Sequence, residues 1–506
     1  KSVFDGKLIM LPKRVHSICL LILLQVVVGQ LYAQPSVASE TAKENLRKII
    51  SQLPDSVEFI VRSLIVTGNK KTKEYIILRE VPFSQGSKMF RSQMEGLFEQ
   101  ARLNISNTQL FLEVIPKITS SDEKHLDILF EVKERWYLFP FPYFKLVDRN
   151  VNQWLTEQNR SLERVNYGLK LNWDNVSGRR DKLNFNFVNG YTREYSIFYE
   201  QPYADKKLER GFLGSIYYKQ ARQMTFATDS NKQAFFPASN EQISEFVRTT
   251  FKMEAGFTLR KGVNHRHTFR LSYAKESIPD TISKLIADNS LKGYLPYFNA
   301  NRSKQEFGEF SYSYQYYNAN NIVYPWKGFL FNGTFMQRGL GAKGMNLWQF
   351  SGKAGKFFQL TKKTSASAVA YYMVKVPFKQ PMYNIGALGY GDWFLRGLEY
   401  YVIDGVQAGI LKGTIRQEIL NLNVPTFFIK NEKYKKIPFK IIAKVYGDIG
   451  ASHLPAYTNS ILNNRFLYTY GAGIDVLSYY DFIARIEYSF NQLGEKGLFL
   501  HIRRDF

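Results

Sequence analysis

The chain has 506 residues, a net charge of +24, 16% aromatic residues and a mean hydropathy of −0.29. Many aromatic side chains in a chain of polar average indicate alternating apolar and polar residues, and they argue against helical membrane spans. The single cysteine, Cys19, excludes a disulfide framework and a cysteine-based metal site. There is no His-Glu-x-x-His pair, no Gly-x-Ser-x-Gly elbow and no phosphate-binding glycine loop. We therefore expect no enzyme and no cofactor.

Residues 1–33 have the pattern of an export signal. Cationic residues come first, a short apolar run follows, and Ala33 offers a small residue for cleavage. The apolar run is shorter than the roughly 20 residues that a membrane-spanning helix needs, and no second run follows. We therefore expect an exported protein that can enter a membrane only as a closed barrel. The polar residues 34–57 are expected to be a linker with some helical character.

Residues 58–134 have the pattern of a small α+β module. The order is a strand, two helices and two strands, which can bury one core between a sheet and a helical layer. Gly68 and Asn69 form the turn after the first strand, and Thr72 is expected to cap the first helix. The strands are predicted over 59–66, 110–118 and 125–132, and the helices around 76–78 and over 87–101.

Residues 135–506 alternate with a period of two. In one segment Phe251 and Met253 alternate with Lys252 and Glu254, so that one face is apolar and the other is charged. Many such segments of about ten residues are typical of a transmembrane β-barrel. We predict an all-β transmembrane barrel of 16 antiparallel strands. The strands are predicted over 136–149, 164–174, 180–190, 193–203, 210–222, 245–259, 264–275, 304–318, 327–339, 347–360, 363–375, 408–423, 437–450, 465–477, 480–491 and 496–506.

The connections between these strands differ in length. Bacterial barrels place short turns on the periplasmic side and long loops outside, and we expect the same here. Pro140 and Pro142 lack an N–H, so the first strand should pair incompletely with the last. The short connections are 191–192, 260–263, 319–326, 361–362 and 478–479, and the long ones are 223–244, 276–303, 376–407 and 451–464.

Arg396 lies in the long loop 376–407, and two acids follow it on the next two strands. Alternation places Glu418 and Asp448 on the inner face of the barrel. A guanidinium can bind two carboxylates through its planar set of donors, so we expect the loop to fold inward and Arg396 to meet both acids. The alternative is that Arg396 is an ordinary loop charge and that the acids pair with cations on their own strands.

The motif Leu395-Arg396-Gly397, followed by Glu418 and Asp448, resembles the signature of the BamA/TamA superfamily of outer-membrane assembly proteins. The resemblance implies that the sixth extracellular loop enters the lumen and that its arginine pairs with acids on the next strands. The family usually has an aromatic residue after the glycine, and this chain has Leu398 instead.

Residues 58–134 resemble a POTRA (polypeptide-transport-associated) module, including Gly68-Asn69 and the closing Val-x-Glu pattern. The sequence has room for one such module, whereas the general insertase of the family usually carries several. The final residue, Phe506, resembles the aromatic end by which outer-membrane barrels are recognised for insertion.

The resemblance implies a protein that inserts, assembles or translocates other proteins at the bacterial outer membrane. It implies unfolded outer-membrane or secreted proteins as substrates, periplasmic accessory proteins as possible partners, and no cofactor. The scattered basic residues fit lipopolysaccharide and lipid headgroups better than nucleic acid. Two alternatives stay open: a secretion or uptake pore plugged by loop 376–407, and a structural barrel that anchors an envelope complex.

Overall fold

The computed structural model describes residues 37–146, 165–237, 245–287, 294–341, 344–425, 436–455, 460–478 and 481–502. The predicted signal at 1–33 and the terminal Phe506 lie outside these ranges. Within them, no helix is both long and apolar enough to cross a bilayer.

The N-terminal module is a four-stranded sheet covered by helices. The strand order is β2-β1-β4-β3, in which β1 and β4 are parallel and the other pairs antiparallel. Gly68 has a φ of 87°, and a Cβ there would lie 2.0 Å from the carbonyl oxygen of Val132, so the turn requires glycine. The elements are α1 (Val37–Gln52), β1 (Glu58–Thr67), α2 (Glu74–Leu78), β2 (Lys88–Phe90), α3 (Arg91–Ser106), β3 (Phe111–Ser121) and β4 (His125–Glu134).

The module differs from the expectations in three places. Residues 34–57 were expected to be a linker with some helical character, but residues 37–52 form the helix α1, which belongs to the module because Leu46 and Ile50 are buried in its apolar core. Thr72 does not cap α2, whose N-cap is Lys73. The hydroxyl of Thr72 is buried and instead contacts the hydroxyl of Tyr137 at 3.0 Å. The short strand β2 was not predicted.

The rest of the chain forms a 16-stranded antiparallel sheet, as predicted. Neighbours in the sequence are neighbours in the sheet, from the first strand to the last. Ile415 and Val445 are exposed on the outer face while Thr414 and Lys444 are buried inside, as the alternation predicts. The strands are β5 (Leu138–Leu146), β6 (Val165–Asp174), β7 (Lys182–Gly190), β8 (Thr192–Gln201), β9 (Arg210–Ala221), β12 (Arg248–Lys261), β13 (His265–Ser277), β14 (Lys304–Ala319), β15 (Gly328–Leu340), β16 (Leu347–Gln359), β17 (Thr364–Val376), β20 (Gln407–Pro425), β21 (Lys436–His453), β22 (Phe466–Leu477), β23 (Ile483–Asn491) and β24 (Lys496–Ile502).

The module lies against one end of this sheet. Its residues hydrogen-bond to connections 175–181, 202–209, 262–264 and 320–327 and to Asp481. Because successive strands run in opposite directions, the connections alternate between the two ends of the sheet. The turn between β7 and β8 therefore lies at the end opposite the module, which we call the far end. The predicted placement of the short turn 191–192 with the module-side turns was therefore wrong, because turn length alone does not decide the side.

The far end is covered by packed loop elements. They are the hairpin of β10 (Met224–Asp229) and β11 (Lys232–Phe236), helix α4 (Asp280–Ala287), helix α5 (Met382–Ile385) and the two-stranded pair of β18 (Gly386–Leu388) and β19 (Ile403–Asp404). Ile282, Phe298, Ile385 and Val406 share one buried apolar cluster there. The hairpin turn residue Asn231 donates from its side chain to the carbonyl of Val402 at 3.0 Å.

The first and last strands are the two edges of the sheet. β5 pairs with β6 over its whole length, including Pro140 and Pro142, and β24 pairs with β23. Within the described residues, β5 and β24 form no hydrogen-bonded ladder with each other. We call the junction between them the seam.

The topology predicts which loops are accessible from outside the cell. Asn289 and Asn459 lie outside the described residues, but the strands on either side of them, β13 and β14 and then β21 and β22, are joined at the far end. Epitope tags inserted at these two positions should be labelled on intact cells. A tag at Lys362, in a module-side turn, should be labelled only after the outer membrane is permeabilised. Labelling of the Lys362 tag on intact cells would contradict the orientation.

Candidate functional site: the inward loop and the module junction

The connection between β17 and β20, residues 377–406, folds into the barrel, and we call it the inward loop. Leu395 and Leu398 are buried against the barrel wall, in a cluster with Tyr371 and Ile410. These apolar contacts hold the intervening Arg396 inside the lumen. Leu398, which replaces the aromatic residue usual at this position, is therefore an apolar anchor.

Arg396 is bound mainly by one acid, Asp448 on β21. Its backbone N–H and its Nε both donate to Asp448 Oδ2 at 3.0 Å, and Nη2 donates to Oδ1. Nη1 donates to Thr414 Oγ1 at 3.0 Å, and the guanidinium lies 4.0 Å from the centre of the Tyr446 ring. Asp448 is 1% exposed, so losing either partner would leave an unpaired buried charge.

Gly397 lets the loop approach strand β23 closely. Its φ is 95°, and a Cβ at this position would lie 2.9 Å from the Cβ of Ser489. Its carbonyl accepts a hydrogen bond of 2.9 Å from the side chain of Asn491. Both the left-handed backbone and the lack of space therefore require glycine after Arg396.

The predicted contact of Arg396 with Glu418 was wrong. Alternation along β20 directs Glu418 inward, but the carboxylate lies 3.8 Å from Lys440 and not against Arg396. Glu418 lies four residues along β20 from Thr414, and four residues of strand span about 13 Å. Alternation predicts whether a side chain points into or out of the barrel, but not its position along the barrel axis.

The second acid near Arg396 is Glu487 on β23, which the sequence analysis did not select. Its Oε1 lies 4.0 Å from Arg396 Nη1 and 2.6 Å from Lys444 Nζ. Gly473 lies between Lys444 and Glu487 in the strand register, and its missing side chain leaves room for their contact. In the sequence, the only sign of Glu487 was its place on the inner face of β23, which the alternation of that strand predicts.

The buried charges continue toward the module-side end. Lys444 also contacts Asp475 Oδ1 at 2.5 Å, and Asp475 Oδ2 accepts a hydrogen bond from the Tyr324 hydroxyl at 2.8 Å. Tyr324 belongs to connection 320–327, which enters the barrel from the module side. Asn107 of the module accepts from the backbone N–H of Ile322 in the same connection at 3.2 Å. A series of charged and polar contacts thus runs from the inward loop to connection 320–327, which in turn binds the module.

Glu399, Glu487 and His501 form the one group within the described residues whose ligand atoms are close enough to hold a metal ion. His501 Nε2 lies 3.3 Å from Glu399 Oε1 and 3.5 Å from Glu487 Oε2. Lys444 and Arg396 already supply positive charge at Glu487. We therefore interpret the group as side-chain contacts within the barrel and not as a metal site.

The module is joined to the barrel through a buried acid, Glu80, which is fully buried. Arg260 at the end of β12 binds both of its carboxylate oxygens, with Nη2 donating to Oε2 at 2.9 Å. Arg79 donates to the carbonyls of Leu208 and Gly262 in two barrel turns, at 2.6 and 3.0 Å. Burial alone would raise the pKa of Glu80, but the neighbouring Arg260 lowers it below the ordinary value for glutamate.

Two family models match the chain, in the order in which the two parts of the fold occur. The POTRA model, described as a surface antigen variable number repeat, matches residues 59–135, and the Omp85 superfamily domain matches residues 175–405. Together they cover more than half of the sequence. The chain belongs to the Omp85 superfamily. Omp85 proteins transport or assemble proteins at the bacterial outer membrane, keep their POTRA domains in the periplasm and are not enzymes.

Solved Omp85 structures are distant from this chain. BamA from Haemophilus ducreyi lacking POTRA domains 1–3 has 16% identity and a TM-score of 0.44, over 87% of this chain and 83% of that one. CdiB from Escherichia coli has 10% identity and a TM-score of 0.43, over 98% of each chain. CdiB from Acinetobacter baumannii has 14% identity and a TM-score of 0.41, over 88% and 71%. No curated protein sequence matches.

The contacts of Arg396 predict which acid holds the inward loop of this Omp85 protein. Arg396→Ala and Asp448→Asn should each raise protease cleavage within 377–406, since breaking a buried pair costs about 3–5 kcal/mol. Heat-modifiable gel mobility should persist, because the strand ladder is intact. Glu418→Gln is the matched control and should leave loop cleavage unchanged. Equal cleavage in Glu418→Gln and Asp448→Asn would contradict the assignment.

The buried Glu80 predicts a tightly held POTRA junction. Glu80→Gln leaves Arg260 without its partner charge and should weaken docking by about 3–5 kcal/mol, seen as faster trypsin cleavage at Lys206 and Lys207. Glu131→Gln, which removes an exposed pair with Lys117, is the control and should have little effect.

The lowered pKa of Glu80 also predicts how docking depends on pH. The contribution of Glu80 is present above the ordinary glutamate pKa and is lost only as pH falls through the lowered value. Trypsin protection of the junction should therefore be equal at pH 7 and pH 5. A loss of protection between these values would contradict the ion pair.

Proposed function

We propose that this Omp85 protein inserts or assembles other proteins in the outer membrane by opening the seam between β5 and β24. An incoming strand would pair with the free edge of β5, as peptides add to exposed sheet edges elsewhere. The strand would then enter the lipid with its backbone groups hydrogen-bonded throughout. Unfolded outer-membrane or secreted proteins are the substrates of this proposal.

The observation that carries the proposal is that no ladder joins the two terminal strands in the part of the chain that the structure describes. β5 is bonded only to β6 and β24 only to β23 within the described residues. Pro140 and Pro142 are two residues apart, so their nitrogens point to the same edge of β5, and neither can donate a hydrogen bond. Prolines are tolerated on an edge strand, which fits the position of β5 at the edge of the sheet.

Contacts at both ends of the barrel favour movement of a substrate sideways through the wall over passage along the barrel axis. The POTRA domain contacts several periplasmic turns, and the extracellular loops share an apolar core at the other end. Inside, the inward loop leaves a cavity of about 570 Å³, lined by Lys353, Trp393 and Arg485 among others. A protein that crosses along the axis would have to displace the buried Arg396 as well.

The partners that we propose follow from the same surfaces. The outer belt of apolar side chains would contact outer-membrane lipids, and the basic residues would contact lipopolysaccharide and lipid phosphates. The POTRA domain is the proposed site for periplasmic accessory proteins. A secretion pore and a structural barrel are the competing functions that the next experiment separates.

A disulfide across the seam tests the proposal. Cysteines placed at Phe144 on β5, combined in turn with Leu498 or Leu500 on β24, should form a bond under oxidising conditions. Cells that depend on this protein should then lose assembly of its substrates, and reductant should restore it. Cys19, the single native cysteine, lies in the predicted signal, and its replacement with serine ensures that no native thiol competes for the disulfide.

The matched control locks two strands that are already paired. Ser313 on β14 and Thr334 on β15 are register partners whose hydroxyl oxygens lie 3.0 Å apart, and a disulfide there should leave function intact. Full function with a demonstrated seam disulfide would reject lateral opening and favour the pore. Unaffected substrate levels after depletion of the protein would favour the structural barrel.

A further inference from the structure

We infer that Glu399 and His501 are positioning residues that fasten the last strand, β24, to the inward loop, so that release of the loop frees the edge of the seam. This inference rests on the proposed function only in one respect, namely that the open seam admits a substrate. The fastening itself is a property of the folded barrel.

The inner face of β24 is covered by the inward loop. Phe499 and His501 both point inward, and both contact loop residues. The ring of Phe499 lies 5.4 Å from that of Tyr400, and the ring of His501 lies 5.6 Å from that of Phe394. The outward side chains of the strand have no such cover, and Leu500 is 73% exposed. The loop is therefore the main inner support of this strand.

This support matters because β24 is an edge strand. Its backbone is bonded only to β23 among the described residues, from Ala484↔Ile502 to Phe490↔Lys496. A strand with one ladder loses fewer hydrogen bonds on leaving the sheet than an interior strand does. Side-chain contacts on its inner face then decide much of its local stability.

The two carboxylates that face His501, those of Glu399 and Glu487, are each oriented by a second partner. Glu399 accepts the backbone N–H of Gly397 on Oε2 at 2.7 Å, so that Oε1 points to His501. Glu487 is engaged by Lys444 on Oε1, and its Oε2 points to His501. His501 thus lies between an acid of the loop and an acid of the neighbouring strand.

The same groups connect the fastening to the Arg396 pair. Glu487 lies near both Arg396 and His501, and Glu399 follows Arg396 by three residues in one turn of the loop. Withdrawal of Arg396 from Asp448 would move Glu399 away from His501. The inward loop and the seam edge should therefore be released together.

Amide hydrogen exchange of the full-length protein in lipid nanodiscs tests this coupling. Glu399→Gln and His501→Gln should each speed exchange across 496–502 roughly tenfold, as expected for the loss of one side-chain hydrogen bond. Arg396→Ala should speed exchange both in the inward loop and in β24. Glu306→Gln, which removes an ion pair with Lys275 on the outer surface, is the control and should change neither region.

The result that would overturn the inference is faster exchange in the inward loop with unchanged exchange in 496–502, in all three variants. A uniform rise across every strand would also overturn it, because that indicates general destabilisation. The readout does not depend on substrates. The two hypotheses can therefore fail separately. If exchange in the loop and in β24 is coupled but the seam disulfide leaves function intact, this inference stands and the proposed function is rejected.

Discussion

The buried pair of Arg396 and Asp448 is the interaction on which the interior of this barrel depends. A guanidinium enclosed by protein needs a partner charge and several acceptors, and one carboxylate, one hydroxyl and one carbonyl provide them. The acceptors lie on the paired strands β20 and β21, and the guanidinium of Arg396 meets them only when the inward loop has entered the lumen. Together with the buried Leu395 and Leu398, Arg396 therefore holds the central part of the inward loop against the inner face of the barrel.

From this pair, buried charges extend in two directions. One series passes through Glu487 and Lys444 to Asp475 and ends at the POTRA-bound turn that carries Tyr324. The other passes through Glu487 to His501 on β24. Glu487 thus belongs to both series. An opening of the seam and a movement of the POTRA domain would each disturb the same acid, which gives the two ends of the protein a physical means of coupling.

Sequence alternation predicted the strands and their faces, since a half-buried strand repeats every two residues whatever surrounds it. It could not choose between Glu418 and Glu487, because the height of a side chain depends on the stagger between strands. It also could not find the Glu80–Arg260 pair, whose members are separated by 180 positions and belong to different domains. The packing of helix α1 on the module was not predicted, because its apolar positions are few and its burial comes from the module that it covers.

Site-specific photo-crosslinking of a substrate during assembly tests the central claim most directly. A photoreactive residue at Phe144, on the outward edge of β5, should capture the nascent chain, and one at Lys353, facing the lumen, should not. Lateral opening predicts adducts at the seam that disappear when the seam disulfide is formed. Adducts at Lys353 alone, with none at Phe144, would contradict lateral opening and indicate passage through the lumen.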